Sequence, residues 1–231
     1  MDDRKGVPLL SDLTAAPHEP HERLPGLFIA LEGGDGAGKS TQARLLREWL
    51  ESLGRTVVVT REPGGTPEGQ RIRDVVLHGT HVVPRAEALL FAADRAHHVE
   101  TVVLPALERG DVVITDRYID SSVAYQGAGR DLDADEVLRL SRWATRGLRP
   151  ALTVLLDVSP ELGRQRRGDV HDRLESEPDH FHKRVRAHFL ELAGADPARY
   201  LVVDAGLPPE EIHRRVRERL APLLDLGRSP A

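Results

Sequence analysis

Between residues 31 and 41 the chain reads Leu-Glu-Gly-Gly-Asp-Gly-Ala-Gly-Lys-Ser-Thr, and this stretch restricts the fold more than any other. Gly33, Gly38, Lys39 and Ser40 occupy the defined places of the pattern G-x-x-x-x-G-K-[ST]. Glycines allow a tight curl in which successive N–H groups turn inward and form a nest for phosphate oxygens. A helix opening near Lys39 adds the positive end of its dipole at the same place. Such a loop belongs between a buried strand and a helix. Phe28-Ile29-Ala30-Leu31 is a strand-like apolar run before it, and residues 42–53 carry helical spacing after it. An incidental glycine turn does not explain that order. The stretch predicts a nucleotide-phosphate site built from Gly33, Gly34, Asp35, Gly36, Ala37, Gly38, Lys39, Ser40 and Thr41, with the Ser40 hydroxyl a ligand for Mg²⁺.

The alternation continues along the chain. Apolar runs at 56–60, 112–115, 152–156 and 200–203 read as buried strands. Helical spacing falls at 68–77, 86–107, 133–146, 160–166, 178–192 and 208–224. Gly54 is a natural stop for the first helix, and Asp133 is an N-cap residue. Pro105 predicts a distortion in the last turn of the long helix, and Pro208 and Pro209 suit a helix start. Strands alternating with helices predict an α/β fold: a five-stranded parallel sheet covered on both faces, three layers in all. Ligands then gather at the carboxyl ends of the strands, which groups 32–41, 61–66, 116–126 and Asp157 on one rim.

A chain of 231 residues with no internal repeat suits one domain. Residues 1–25, with Pro8, Pro17, Pro20 and Pro25 and no sustained period, are expected to be a flexible extension. Residues 26–224 form the expected domain and 225–231 a tail. A net charge of -5 argues against a nucleic-acid binder. The absence of cysteine suits a reducing interior. The extension has no apolar signal region, and no run reaches membrane-spanning length, so the expected location is cytoplasmic, with no membrane partner.

Three further groups bear on chemistry. Arg61-Glu62-Pro63-Gly64-Gly65-Thr66 follows the second strand, where glycines let the backbone approach a substrate. Asp116-Arg117 follows the third strand: the acid can serve Mg²⁺ and the arginine can grip a phosphate with its fork. Arg164, Arg166, Arg167 and Arg173 surround 168–172 and predict a mobile lid that brings cations to a phosphoryl group. Phe91 and Arg95 share a helix face; the ring could stack a base or simply fill the core. The histidines at 171, 180, 182 and 188 form no zinc spacing.

Over residues 26–224 these blocks together resemble the bacterial thymidylate kinase family: the loop itself, Arg-Glu-Pro-Gly-Gly-Thr, Phe91 with Arg95, and Asp-Arg-Tyr-Ile-Asp-Ser-Ser-Val-Ala-Tyr-Gln at 116–126. The resemblance implies a P-loop nucleoside-monophosphate kinase fold and transfer of the ATP γ-phosphoryl to dTMP, with Mg²⁺, on the way to dTTP. It implies that Asp35 faces the acceptor, that Arg73 and Arg95 bind the dTMP phosphate and base edge, and that Phe91 stacks on thymine. Arg117 would hold phosphate; Glu62, Ser121, Ser122, Tyr125 and Gln126 would border the acceptor; Asp116 and Ser40 would serve the metal. Tyr125 would disfavour a ribose 2′-hydroxyl. Some members carry a catalytic arginine inside the loop, where this chain has Asp35, Gly36 and Ala37. The lid arginines Arg166, Arg167 and Arg173 are then the candidates, beside Lys39, Asp35 and Arg117. The resemblance also implies a homodimer through long helices such as 86–107. A kinase for dUMP or UMP, and a non-catalytic phosphate-loop switch, are the alternatives at this point.

Overall fold

Residues 27–31 send successive side chains into two opposite apolar layers, and that alternation organises the molecule. The computed structural model describes residues 24–130, 132–166 and 172–226. Strands β1 (Leu27–Glu32), β2 (Val57–Arg61), β3 (Val112–Asp116), β4 (Leu152–Asp157) and β5 (Tyr200–Asp204) form one parallel sheet in the order β2-β3-β1-β4-β5. Ile29 and Leu31 face a layer made with Leu46 and Leu50 of α1 (Lys39–Ser52) and with Val216 and Leu220 of α9 (Pro209–Leu226). Phe28 and Ala30 face the other layer, among Val99, Val103, Leu107 and Tyr118. A strand buried on both sides needs an apolar side chain at every position, so 27–31 reads as a continuous run rather than an alternation. Leu46 and Leu50 are fully buried, and truncating either to alanine costs about 2–5 kcal/mol.

Local signals end the elements where expected. After α1, Gly54 takes a positive φ of 76°; its N–H donates to Glu51 O and the Arg55 N–H to Leu50 O, the paired closure that satisfies the last helical carbonyls. The Asp133 carboxylate accepts from the N–H groups of Asp135 and Glu136 and caps α6 (Ala134–Ala144).

Three differences are informative. The long helix is α3 (Pro84–His98), a π-helical turn at Val99–Val103, and α4 (Leu104–Glu108). The distortion lies in the turn before Pro105, because proline lacks an N–H and its ring crowds the carbonyl of Thr101. Helix α2 (Pro67–Arg73) likewise widens into a π turn at Asp74–His78. Residues after β3, expected only as rim, are helical: α5 (Ile119–Ser122) continues as a π segment at Val123–Gly129. Nearly all of that segment is buried, so it has no polar face and no 3.6-residue period to reveal it. The remaining helices are α7 (Pro160–Arg166) and α8 (Asp179–Ala195).

Register brings the rim together. Leu31 and Arg61 both lie opposite Asp116, and Glu32 lies opposite Leu155. Leu24 packs against the second layer, so the packed region begins just before residue 26. Residues 1–23 of the expected extension, and 227–231 of the tail, lie outside the described residues.

Candidate active site

The loop between β1 and α1 borders a cavity of about 630 Å³ lined by residues 35–42, Asp116, Arg117 and Arg166. Lys39 Nζ donates to the carbonyls of Gly33 and Gly34, each at 3.1 Å, which holds the amine across the loop. Burial and the Arg117 guanidinium pull its pKa below the usual lysine range. Gly36 has φ of 76°, and a Cβ there would meet the Gly163 carbonyl at 2.4 Å. Glycine at both positions therefore lets α7 lie against the phosphate loop. That contact carries Arg166, at the end of α7, to the cavity wall, where its Nη1 donates to Ala205 O at 2.7 Å.

The residues fit a divalent cation. Asp116 Oδ1 is buried with no hydrogen-bond partner, and Ser40 shares the cavity wall with Asp116. An orphaned carboxylate oxygen and a hydroxyl on the same cavity wall supply the oxygen donors that Mg²⁺ takes together with phosphates and water.

A second cavity of about 110 Å³ adjoins the first, bordered by Phe91, Arg95, Ser121, Ser122, Tyr125, Gln126, Leu77, Asp172 and Leu174 among others. Asp35, Glu62, Arg73, Arg117 and Glu175 line both cavities. Arg117 is the hub of this junction. It adopts φ of 70°, rare for a residue with a side chain, with its N–H on Leu31 O and its carbonyl accepting from Thr115 Oγ1, both at 2.9 Å. Its guanidinium donates to Gly33 O, Ser121 Oγ, the Tyr125 hydroxyl and Asp35 Oδ1, and lies 5.0 Å from the Tyr125 ring centre. Tyr125 donates to Asp35 Oδ2 at 3.2 Å. Burial, with Asp35 nearby, raises its phenol pKa, so the hydroxyl stays protonated.

Arg95 is almost completely enclosed and is held by Glu62, Ser141, Ser122 and the Tyr118 carbonyl. Glu62 also lies 2.7 Å from His98 Nδ1, whose Nε2 is 2.7 Å from Thr60 Oγ1. The chain of contacts ties the edge strand to the arginine that borders the second cavity. Arg73 donates to Pro63 O at 3.0 Å; burial and Arg61 lower its pKa.

Glu32, immediately before the loop, ties the loop to Ser121 in the wall of the second cavity. Its carboxylate accepts from the N–H groups of Tyr118 and Ser121 at 2.8 and 3.2 Å and from Ser121 Oγ at 2.6 Å. It thereby caps α5 and orients the serine that receives Arg117. Burial and the neighbouring Asp120 carboxylate push its pKa up to about 8, against the pull of Ser121 and Arg117.

The structure thus gathers the residues of the phosphate loop, Arg117, Asp116, Glu62, Arg73, Phe91, Arg95, Ser121, Ser122, Tyr125 and Gln126 at one rim. It does not bring Arg173 to the wall of the first cavity. Arg173 donates to Glu87 and, from Nε, to the Val76 carbonyl. Arg164 pairs with Asp179, and Arg167 lies outside the described residues. Leu174 lines the second cavity, and Glu87 and His98 hold residues that line it, yet spacing alone reveals none of the three. For Glu87 and His98 a signal exists: they lie on the same face of α3 as Phe91 and Arg95, one turn before and one turn after.

A protein that only bound a nucleotide would need the first cavity alone. The second, which shares five wall residues with it, makes the molecule a phosphate-loop kinase of the nucleoside-monophosphate class. Comparison narrows that class. The thymidylate kinase family model matches residues 31–216. Thymidylate kinase of Clavibacter sepedonicus is 62% identical over 210 residues, covering 89% of this chain and 100% of that one. That of Leifsonia xyli subsp. xyli is 64% identical over 200 residues, covering 85% and 95%. A crystal structure of thymidylate kinase from Ehrlichia chaffeensis superposes with a TM-score of 0.70 at 31% identity, covering 84% of this chain and 98% of that one. The chain belongs to the thymidylate kinase family.

Proposed function

We propose that this chain transfers the γ-phosphoryl group of ATP to dTMP, giving dTDP and ADP, a step toward dTTP. The carrying observation is the wall that the two cavities share, Asp35, Arg73 and Arg117 among its residues, which supports a donor phosphate on one side and an acceptor phosphate on the other. An acceptor phosphate oxygen attacks the γ-phosphorus, and the bond to the β–γ bridging oxygen breaks as ADP leaves. There is little covalent work for the protein; it positions two polyanions and offsets their charge.

The loop amides and Lys39 hold the β- and γ-phosphates, and Arg166 adds positive charge from the other wall of the cavity. Ser40 and Asp116 would hold Mg²⁺, which would supply charge neutralisation on the phosphate oxygens. Arg117, oriented by Asp35 and Ser121, holds the acceptor phosphate with Arg73. Phe91 stacks the thymine, with Arg95, Gln126 and Ser122 at the acceptor's edge, and Tyr125 crowds the sugar where a 2′-hydroxyl would sit. The working unit is the domain at 26–224, in the cytoplasm, as a homodimer. Among the described residues no helix is long and apolar enough to cross a membrane.

The test is ADP release in a coupled assay with ATP, Mg²⁺ and each of dTMP, dUMP, UMP and dCMP. Release that depends on dTMP above the rest is expected. Preference for another monophosphate moves the acceptor assignment, and nucleotide binding without acceptor-dependent release overturns the kinase reading.

A further inference from the structure

Glu87 is fully buried, yet it stands behind the acceptor cavity rather than in its wall. Three side chains from two parts of the chain donate to its carboxylate, Gln126 and Arg130 from the end of the π segment and Arg173 from beyond it. Gln126 Nε2 reaches Oε1 at 2.9 Å, Arg130 reaches both oxygens at 3.4 Å, and Arg173 reaches Oε2. Each partner leads to that cavity. Gln126 lines it directly. Arg173 lies between Asp172 and Leu174, which both line it, and its own N–H donates to the carbonyl of Leu77, a third lining residue. Arg130 also pairs with Glu177 and lies 5.2 Å from the Phe181 ring centre, so it ties the start of α8 to the same point.

We propose that Glu87 is a positioning residue for the acceptor: one buried charge draws the π segment after α5, the π turn after α2 and residues 172–177 together around the cavity that takes the nucleoside monophosphate. Two guanidiniums and an amide converge on it, and removing its charge takes from Arg173 and Arg130 the buried carboxylate they share. Of the residues so held, Gln126, Leu77, Asp172 and Leu174 border the acceptor cavity alone and Glu175 borders both, so the effect falls mainly on the acceptor. A carboxylate that merely stabilised the fold would not discriminate between the two. The inference rests on the assignment of dTMP to this cavity.

Glu87→Gln keeps the shape and removes the charge. Measured with both substrates varied, it is expected to raise KM for dTMP by at least about 10-fold, with KM for ATP changed by less than about twofold. Hydrogen exchange in 172–178 is expected to slow on adding dTMP to the unaltered protein and to change far less in the variant. Equal effects on the two KM values, or dTMP protection identical to that of the unaltered protein, overturn the proposal. If Glu87→Gln does not fold, Arg173→Lys decides by the same comparison: a rise confined to dTMP supports the proposal and no rise overturns it. The unaltered protein is the control that separates the two claims. If it releases no ADP in response to dTMP, the acceptor assignment fails; normal turnover with an unshifted variant removes only the role of Glu87.

Discussion

Nη2 of Arg117 lies 2.5 Å from Oδ1 of Asp35, so an acid inside the phosphate loop and the arginine that follows β3 form one ion pair at the junction of the two cavities. The same Arg117 donates to Gly33 O and Ser121 Oγ, which leaves its fork aimed by groups from both sides of the site. Asp35→Asn removes the charge that aims it. A charge-assisted hydrogen bond is worth about 1.5–3 kcal/mol, so kcat/KM for dTMP is expected to fall by about 10- to 100-fold, with a small change in KM for ATP. Steady-state kinetics with each substrate varied checks this, and an unchanged dTMP dependence would show that Arg117 needs no such partner.

Lys39 spans the carbonyls of Gly33 and Gly34 within a largely buried setting. Lys39→Ala removes the one ammonium of the loop while leaving α1 and its apolar face untouched. Turnover is expected to drop by on the order of 10³-fold or more, with the thermal midpoint little changed. Turnover near that of the unaltered protein would remove Lys39 from the mechanism.

Arg166 and Arg173 are expected to behave differently, because one reaches the donor cavity and the other is committed to Glu87. Arg166→Ala should lower kcat and raise KM for ATP, since it removes charge beside the transferred group. Arg173→Ala should act mainly through KM for dTMP and through stability, since it leaves Glu87 with fewer donors. Parallel kinetics for the two variants would contradict this division.

Glu32 sets a pH dependence of stability. Its pKa is pushed from about 4.5 to about 8 in the folded protein, so between those values the folded form keeps a proton that the unfolded form releases. More protons bound to the native state means stability falls as pH rises through that window. The contribution is complete below about pH 4.5 and gone above about pH 8. Glu32→Gln cannot titrate, so its thermal midpoint, measured from about pH 5 to about pH 9, is expected to fall less steeply than that of the unaltered protein. Parallel curves would show that Glu32 is ionised throughout.

What the sequence by itself determined about this protein is what local geometry encodes. Strand runs, the helix stop at Gly54, the cap at Asp133 and the spacing from Gly33 to Ser40 are each settled within a few residues by sterics and hydrogen bonding. The rim also followed, because parallel strands put their carboxyl ends together. The helix at 119–129 stayed hidden, since burial on every side erased its period. Only the tertiary structure decided which acids serve the site. Glu32 meets Ser121 across 89 residues, and Arg173 meets Glu87 across 86. Tertiary packing also turned Arg173 away from the donor cavity while α7 brought Arg166 to it through the Gly36–Gly163 contact. Periodicity reports which face a residue occupies; the partner of a buried charge is chosen only when distant segments pack and leave it no water.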